Sequence, residues 1–289
     1  MGRVNKQGLL TVAVPNKGSL AESAVAMLTE AGYRQRWDAK DLVLIDEANQ
    51  VEFYYLRPRD IAVYVGEGTL DLGITGRDLL GDSDAAAVEV LSLGFGRSTF
   101  RLAAPPGAVA GIEDLQGKRL ATSYPGLLRH WLTDHGIEAR LIALDGAVES
   151  AVRLGVADAI ADVVDTGSTL RKAGLAVFGE VILESEAILI RSAAAPEPPG
   201  LDQLVRRLNG VLVARDYVLV DYDIEESKLA AASALAPGLE GPTVSPLAKP
   251  GWCAVRTLVP RRDHQVLMDR LWEAGARAIL VTDVSACRL

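Results

Sequence analysis

The segment from residue 157 to residue 170, ADAIADVVDTGSTL, combines acidic, hydroxyl and glycine residues in one short stretch. A hydrophobic run passes through aspartates into a glycine-containing turn that starts a predicted helix. Consecutive N–H groups at such a helix start, together with neighbouring hydroxyls, bind phosphate. Carboxylates just upstream can accept hydrogen bonds from two adjacent ribose hydroxyls. The spacing therefore predicts a site for a 5-phosphoribosyl group, formed by Asp158, Asp162, Asp165, Thr166, Gly167, Ser168 and Thr169.

The same segment also fits a simpler interpretation, an ordinary strand-to-helix turn in which Asp165 or Thr166 caps the helix. Two further loops follow predicted strands. Lys17, in the loop PNKGS, places a positive charge before a helix, where it either binds a phosphate or is a solvated loop lysine. Gly76, in LDLGITGRD, either allows a ligand to approach closely or belongs to a tight turn.

Two histidines, His130 and His135, flank Trp131 at helical spacing. A metal site would need at least one more ligand, and the sequence indicates none. We therefore expect both side chains to be solvated or to cap the helix. Cys253 and Cys287 are the only cysteines, too few for a disulfide framework or a cysteine-rich zinc site.

Net charge limits the ligands that this chain can bind. Lys and Arg number 30 and Asp and Glu 38, for a net charge of −8, which disfavours a general nucleic-acid binder. Residues 201–289 hold eleven acidic and eleven basic side chains, so the negative excess lies before residue 201. A polyanion bound there needs local cations, backbone N–H groups or a metal ion. No apolar run approaches the roughly 18 residues of a membrane-spanning helix, and we expect a cytoplasmic protein without a membrane partner.

The elements that must position these residues alternate between strands and helices up to about residue 190. Hydrophobic runs and helical periodicity predict strand–helix pairs at 10–31 and 51–66 and a second series at 118–164. Such alternation favours parallel sheets covered by helices, in two lobes with a ligand cleft between them. The stretch AAAPEPPG at 193–200 is a predicted linker. Beyond it, the predicted order strand–helix–strand–strand–helix–strand is that of a ferredoxin-like domain.

Several motifs, in order along the chain, resemble those of ATP phosphoribosyltransferase, the first enzyme of histidine biosynthesis. Before the segment at 158–169 they are LRPRDI at 56–61, DLGITGRD at 71–78, LGFG at 93–96, ATSYP at 121–125 and DGAVE at 145–149. After the linker, LVDYD at 219–223, GLEGPT at 238–243 and VPRR at 259–262 resemble the histidine-sensing domain of the long form of this family. The family often has Arg after the lysine–glycine pair, whereas Ser19 stands here.

The resemblance implies an α/β fold, with a two-lobed, periplasmic-binding-protein-like catalytic part and a ferredoxin-like βαββαβ regulatory domain. The implied bounds are 1–95 and 187–215 for catalytic lobe I, 96–186 for catalytic lobe II, and 216–289 for the regulatory domain. It also implies a homo-oligomer, with dimers that assemble into hexamers.

The implied reaction transfers the 5-phosphoribosyl group of phosphoribosyl pyrophosphate to N1 of ATP, with Mg²⁺, and histidine inhibits it allosterically. The resemblance assigns the 5′-phosphate to the loop 165–169 and the ribose hydroxyls to Asp162, and it leaves the Mg²⁺ ligands and any catalytic base unassigned. It adds to the substrate-binding residues Arg57, Asp71, Thr75, Gly76, Tyr124 and Glu149. For histidine it indicates Asp223, Thr243, Leu258 and Ala278, although Asp223 alone also fits a helix N-cap.

Two other functions are compatible with these patterns. Two α/β lobes also occur in small-molecule receptors and in the effector domains of regulators, although the sequence shows no DNA-binding helix pair. A phosphoribosyltransferase acting on another base is the second alternative. Comparison of ATP with adenine, orotate and other bases as acceptors would distinguish these functions.

Overall fold

The computed structural model describes residues 8–38 and 40–288, and over these residues the chain forms fifteen strands and nine α-helices. The strands are β1 Leu10–Pro15, β2 Val43–Asp46, β3 Val51–Leu56, β4 Leu72–Gly76, β5 Ala87–Ser92, β6 Ser98–Ala104, β7 Arg119–Thr122, β8 Arg140–Ala143, β9 Ala159–Val164, β10 Ala176–Ser185, β11 Ala187–Ser192, β12 Tyr217–Glu225, β13 Thr243–Pro246, β14 Trp252–Pro260 and β15 Arg277–Asp283. The helices are α1 Ser19–Glu30, α2 Pro58–Gly66, α3 Arg77–Asp82, α4 Pro125–Asp134, α5 Ser150–Arg153, α6 Ser168–Lys172, α7 Leu201–Asp216, α8 Leu229–Leu235 and α9 His264–Glu273.

The chain divides into two compact units. The first contains the described residues up to Thr29 together with Tyr33–Leu201, and the second contains Glu30–Gly32 and the described residues from Asp202 onward. The division falls directly after the linker at 193–200, which has no regular secondary structure. The predicted bounds of the three domains stay a prediction, because the compact units do not show which pieces fold on their own.

Lobe I of the first unit is built on a six-stranded sheet in the order β2-β3-β1-β4-β11-β5. Strands β1, β3 and β4 are parallel, whereas β2, β11 and β5 run antiparallel to their neighbours. Helix α2 begins at Pro58, whose fixed φ and missing N–H suit a first helical position. Its buried residues Ile61 and Val65 pack with Ala13 of β1 and Ile188 of β11, so this helix covers one face of the sheet.

Lobe II is built on a five-stranded sheet in the order β10-β6-β9-β7-β8. Strand β7 runs parallel to β8 and β9, while β6 and β10 are antiparallel. Ala161 of β9 packs in a core with Phe100 and Leu128, whereas its neighbour Ile160 packs in a second core with Leu170. Because both faces of this strand are covered, β9 reads as a nearly continuous hydrophobic run.

Two adjacent segments join the lobes. One is the stretch 93–97 between β5 and β6, and the other is Glu186 between β10 and β11. The Ala187 N–H donates to the Phe95 carbonyl at 2.8 Å, and the Leu93 N–H donates to the Ala187 carbonyl at 2.9 Å. The two crossings are therefore bonded to each other.

The second unit contains a four-stranded antiparallel sheet in the order β13-β14-β12-β15. Alternate residues of β12, such as Val220 and Tyr222, are buried in a core with Leu271 of α9 and Ala232 of α8. The element order β12-α8-β13-β14-α9-β15 with this strand order is the ferredoxin-like arrangement.

The α/β class, the two-lobed plan and the ferredoxin-like domain are thus confirmed. The expectation of parallel sheets needs a correction, because both lobe sheets are mixed. Strands β10 and β11, on either side of one lobe crossing, are antiparallel to their neighbours β6 and β4. Among the described residues, no helix is both long and apolar enough to cross a bilayer.

Candidate active site

The cleft between the lobes lies at the carboxyl ends of parallel strands, the edge where α/β sheets bind ligands. Lys17 follows β1, Arg57 follows β3, Ser123 follows β7 and Asp145 follows β8. These residues line one cavity of about 640 Å³. The folded strands therefore bring together loops that lie far apart in the sequence.

Positive charge is concentrated on the lobe I side of this cleft. Lys17, Arg57 and Arg59 all line the cavity, together with the carboxylates of Asp60 and Asp145. The side chains of Lys17 and Arg57 are exposed and form no ion pair with any residue that the structure describes. Unpaired cations in a cleft of a protein with net negative charge favour an anionic ligand.

A group of polar side chains lies where the lobes meet. Tyr124, at the start of α4 in lobe II, lies close to the carboxylate of Asp78 of α3 in lobe I. Burial raises the pKa of Tyr124, and the negative charges of Asp78 and then Asp162 raise it further. The Tyr124 ring packs edge-on against Phe100 at 5.5 Å between centroids. This neutral phenol thus lies near carboxylates from both lobes.

Asp162, the last-but-two residue of β9, is partly buried beside this group. Burial raises its pKa to about 6, a hydrogen bond from the Val163 N–H opposes the rise, and the carboxylates of Glu149 and Asp78 add to it. The structure thus places Glu149 and Asp78 near Asp162, and Asp78 and Asp162 near Tyr124. At neutral pH the Asp162 carboxylate is ionised and can accept hydrogen bonds from ligand hydroxyls.

The loop after β9 leads into the five-residue helix α6. Its N-cap is Gly167, with φ of 68°, a left-handed conformation that favours glycine. The segment is a strand-to-helix turn, but neither Asp165 nor Thr166 caps the helix, so that part of the simpler interpretation is wrong. The Thr166 hydroxyl donates to the Ser168 hydroxyl at 3.2 Å. Asp165 lines a second cavity of about 450 Å³ beside the lobe crossings, and Thr166, Ser168 and Thr169 are exposed.

Two of the predicted residues near α3 have structural partners in the folded chain. Thr75 is fully buried, and its hydroxyl donates to the Pro58 carbonyl at 2.9 Å, so it holds the start of α2. Gly76 is also buried, and a Cβ there would overlap the carboxylate of Asp78. Of the two alternatives for Gly76, a close ligand approach or a tight turn, the structure shows a close approach, and it is made by the Asp78 side chain.

Two other predicted residues, Asp71 and Asp158, lie at the opposite end of the sheets. Each precedes its strand, so each sits at an amino-terminal end. Asp71 accepts hydrogen bonds from the N–H and the hydroxyl of Thr11, both at 2.8 Å. Asp158 forms an ion pair with Arg119 at 2.7 Å, and this hydrogen bond lowers its pKa to about 2. We leave both aspartates out of the site.

His135 caps the end of α4, whereas His130 lies within α4, is exposed and pairs with Asp84. His130 Nε2 lies 3.1 Å from Asp84 Oδ1, and His135 Nδ1 lies 2.8 Å from the Trp131 carbonyl at the end of α4. Among the described residues there is no group of three or more His, Cys, Asp or Glu side chains that could hold a metal ion. This donor set does not fit a metal held by the protein alone.

The residues predicted to bind histidine lie on four different strands of the second unit. Asp223 is in β12, not at a helix N-cap, and Leu258 of β14 pairs with Leu219 of β12. From Leu219 to Asp223 the strand advances about 14 Å. Thr243 begins the edge strand β13, and Ala278 lies at a bulge of β15 with φ of 50°. One free histidine is too small to contact all four residues within one chain.

Sequence reasoning missed Arg59, which lines the cleft, and Asp78 and Asp82, which lie where the lobes meet. All three lie in or beside motifs that we singled out, LRPRDI and DLGITGRD. Their importance depends on contacts between the lobes, which hydrophobic periodicity does not predict. The available signal was local: each is a charged residue in the first or second turn of a helix that starts at the carboxyl end of a strand.

Comparison with known proteins identifies the family. A family model described as ATP phosphoribosyltransferase matches residues 57–210, and one described as HisG, C-terminal domain matches residues 214–286. The ATP phosphoribosyltransferase of Kocuria rhizophila is 62% identical over 281 residues, which covers 97% of this chain and 100% of that protein. The ATP phosphoribosyltransferase of Streptomyces coelicolor is 59% identical over 285 residues, with the same coverage.

Among solved structures, a chain of the ATP phosphoribosyl transferase (HisG:HisZ) complex from Thermotoga maritima has a similar fold. The TM-score is 0.59 at 24% identity, and the match covers 70% of this chain and 99% of that chain. This likeness concerns the fold, whereas the matches at about 60% identity extend over nearly the whole chain. On these grounds the chain belongs to the ATP phosphoribosyltransferase family, and it is an enzyme of the transferase class.

Proposed function

We propose that this enzyme transfers the 5-phosphoribosyl group of phosphoribosyl pyrophosphate to N1 of ATP. The products are N1-(5-phosphoribosyl)-ATP and pyrophosphate, and the reaction is the first step of histidine biosynthesis. The observation that supports this function best is the pair of unpaired cations, Lys17 and Arg57, in a cleft that Ser123 and Pro125 also line. Tyr124 lies between these two residues in the chain, and the carboxylates of Asp78 and Asp162 are close enough to raise its pKa. Cations suit the phosphates of both substrates, and carboxylates suit ribose hydroxyls.

The reaction needs orientation more than proton transfer. Adenine N1 carries an unprotonated lone pair at neutral pH, which forms the new bond to C1 of the ribose. The bond from C1 to the pyrophosphate oxygen breaks, and its electron pair leaves with pyrophosphate. No proton has to be removed before the attack, so the enzyme's task is to align two polyanions and to stabilise the leaving charge.

The cleft offers groups for each part of this task. Lys17 and Arg57 bind phosphate oxygens, because they are charged, exposed and unpaired among the described residues. Ionised Asp162 accepts hydrogen bonds from the ribose hydroxyls, with Glu149 beside it. The loop at 165–169 contacts the 5′-phosphate through its N–H and hydroxyl groups. These roles follow from the family resemblance and from the placement of the side chains.

Magnesium enters this scheme as part of the substrates. Mg²⁺ in nucleotide enzymes is commonly bound by substrate phosphates with one or two protein carboxylates. We propose that Mg²⁺ reaches the cleft bound to the two polyphosphates. Its chemistry there is the neutralisation of phosphate charge.

We further propose that histidine inhibits the enzyme by binding the second unit, and that the protein works in the cytoplasm as a homo-oligomer. The match of the C-terminal family model to residues 214–286 supports the regulatory role of this unit. Inhibition at a distance requires that histidine bind two states of the enzyme with different affinity.

The test is to incubate the protein with ATP, phosphoribosyl pyrophosphate and Mg²⁺ and to follow near-ultraviolet absorbance. Substitution at N1 changes the adenine chromophore, so product formation gives a new absorbance. Parallel reactions with adenine and orotate test another base as the acceptor. Turnover only with ATP is expected. Binding of either substrate without turnover would favour a receptor, and turnover with another base would contradict the ATP assignment.

A further inference from the structure

Asp82 connects the two lobes through both of its carboxylate oxygens. It is the last residue of α3 in lobe I, and its side chain is only 8% exposed. Oδ1 accepts hydrogen bonds from the N–H groups of Gly126 at 2.7 Å and Leu127 at 3.2 Å, at the start of α4 in lobe II. Oδ2 forms an ion pair with Arg59 at 2.5 Å.

Arg59, in the first turn of α2, reaches the same part of lobe II. Its Nη1 binds Asp82, its Nη2 donates to the Ser123 carbonyl at 2.8 Å, and its guanidinium carbon lies 5.0 Å from the centre of the Tyr124 ring. The side chain is 47% exposed and lines the 640 Å³ cleft. A guanidinium has five N–H donors, so these two hydrogen bonds leave donors for a ligand.

The contact between the lobes at Asp82 is close as well as polar. Gly126 is buried, and a Cβ on it would overlap the Asp82 carbonyl oxygen. The amino-terminal turn of α4 therefore lies directly against the end of α3. At this distance the Asp82 carboxylate can bind both the helix start and Arg59.

The charges in this arrangement leave Arg59 able to bind an anion. The amino-terminal end of a helix carries partial positive charge, so Asp82 is compensated by α4 as well as by Arg59. An arginine that is already ordered loses less conformational entropy when it binds a phosphate than a free surface arginine does. An exposed ion pair that did not order a binding residue would contribute little to the stability of the fold.

We propose that Asp82 is a positioning residue that holds Arg59 against lobe II, with its guanidinium facing the cleft for a substrate polyphosphate. This inference rests on the proposed function in one respect, that the cleft binds polyphosphates. The polyphosphate is either the triphosphate of ATP or the pyrophosphate of phosphoribosyl pyrophosphate. Both groups are polyanions that an arginine can bind, and binding of each substrate is measured separately.

The central variant is Asp82→Asn, which keeps the size and one acceptor oxygen for α4 but removes the charge that holds Arg59. Calorimetric titration with ATP and with phosphoribosyl pyrophosphate should show a dissociation constant about tenfold higher for the substrate that Arg59 contacts. The matched control is Asp84→Asn. Asp84 also links the lobes, through His130, but its side chain is 59% exposed. Its removal should change both dissociation constants by less than about twofold.

A double-mutant cycle separates positioning from a merely structural role. If Asp82 acts through Arg59, Asp82→Asn adds no further weakening in an Arg59→Ala background, because the residue that it positions is gone. A structural role would instead give the same weakening in both backgrounds. Should Asp82→Asn fail to fold, Arg59→Lys is the second test. A lysine keeps the charge but cannot bind Asp82 and Ser123 through a planar fork, so about tenfold weaker binding is again expected.

The outcomes distinguish this inference from the proposed function. If the wild-type enzyme binds and converts both substrates while Asp82→Asn and Arg59→Lys bind like wild type, the positioning role is wrong and the function stands. Equal weakening by Asp82→Asn with and without Arg59 also overturns it. If the wild-type protein binds neither substrate, the proposed function fails and this inference with it.

Discussion

At the scale of single residues, Asp162 is the side chain whose burial is hardest to explain by stability. Burial raises its pKa to about 6, so at neutral pH the folded chain holds an ionised carboxylate in an unfavourable place. A carboxylate with a pKa this far above its usual value is typical of functional sites. The role in ribose binding proposed above would account for it.

Asp162→Asn should therefore lower kcat/KM for phosphoribosyl pyrophosphate. Loss of a charge-assisted hydrogen bond corresponds to about 1.5–3 kcal/mol, or roughly 10- to 150-fold. In the wild type, kcat/KM should fall as the pH drops through about 6, where Asp162 becomes protonated, and the variant should lack this fall. Asp134→Asn, which changes an exposed carboxylate at the end of α4, is the control. Wild-type kinetics from a folded Asp162→Asn variant would exclude this role.

The same substitution should stabilise the fold at neutral pH. An unfolded aspartate titrates near 3.9, below the folded pKa of about 6, so the folded chain binds this proton more tightly. The stability that Asp162 contributes is thus complete below about pH 4 and is lost as the pH rises through about 6. Urea unfolding at neutral pH should show Asp162→Asn more stable by about 1–2 kcal/mol after allowance for partial exposure, with little difference near pH 4. A less stable variant at neutral pH would refute the assignment.

Three aspartates next to strands looked alike in the sequence, and the fold separates them. Asp162 lies near the carboxyl end of β9, whereas Asp71 and Asp158 precede β4 and β9. Only the carboxyl ends of parallel strands face the cleft. An aspartate near the end of a strand therefore lies at the cleft, whereas one that precedes a strand lies at the opposite edge of the sheet. This part of the site was predictable from strand direction. The contacts of Asp78 and Asp82 were not, because they depend on how the two lobes pack.

At the scale of elements, Asp71 ties strand β1 to the start of β4. It accepts two hydrogen bonds from Thr11, and its own N–H donates to the Thr11 hydroxyl at 3.0 Å. Asp71→Ala should lower the free energy of unfolding by about 1–3 kcal/mol, because it leaves partly buried donors without an acceptor. Denaturant titration measures this change. Combined with Thr11→Val, the loss should be less than the sum of the single losses, and strict additivity would argue against the tie.

Elements marked by proline and glycine were the easiest to predict. Helix α2 runs from Pro58 to Gly66, as the sequence indicated, because proline fixes its first turn. Strands β6, β10 and β11 were not predicted. They carry the chain from one lobe to the other, and β10 has mostly exposed residues and a register shift at 178–183, so it lacks a hydrophobic period.

At the scale of the whole molecule, the family match of residues 214–286 makes histidine control the main open prediction. Asp223→Ala should weaken inhibition by histidine at least about tenfold, because an acid that binds the cationic amine is lost. Activity without histidine should stay near that of wild type. Asp269→Ala, on the exposed side of α9, is the control. Initial rates against histidine concentration measure the effect. Undiminished sensitivity of Asp223→Ala, or direct competition with phosphoribosyl pyrophosphate, would contradict this regulatory site.

The paired crossings at Phe95 and Ala187 restrict how the first unit can open. Two adjacent connections, bonded to each other, leave rotation about the line through them as the easy motion, and sliding of one lobe past the other would break them. Displacement in a rotation grows with distance from the axis. Asp165 shares the second cavity with Arg97 and Glu186, which lie at the crossings, so this cavity is close to the rotation axis and its residues move little. A ligand group held in this second cavity would therefore keep its surroundings while the larger cleft widens.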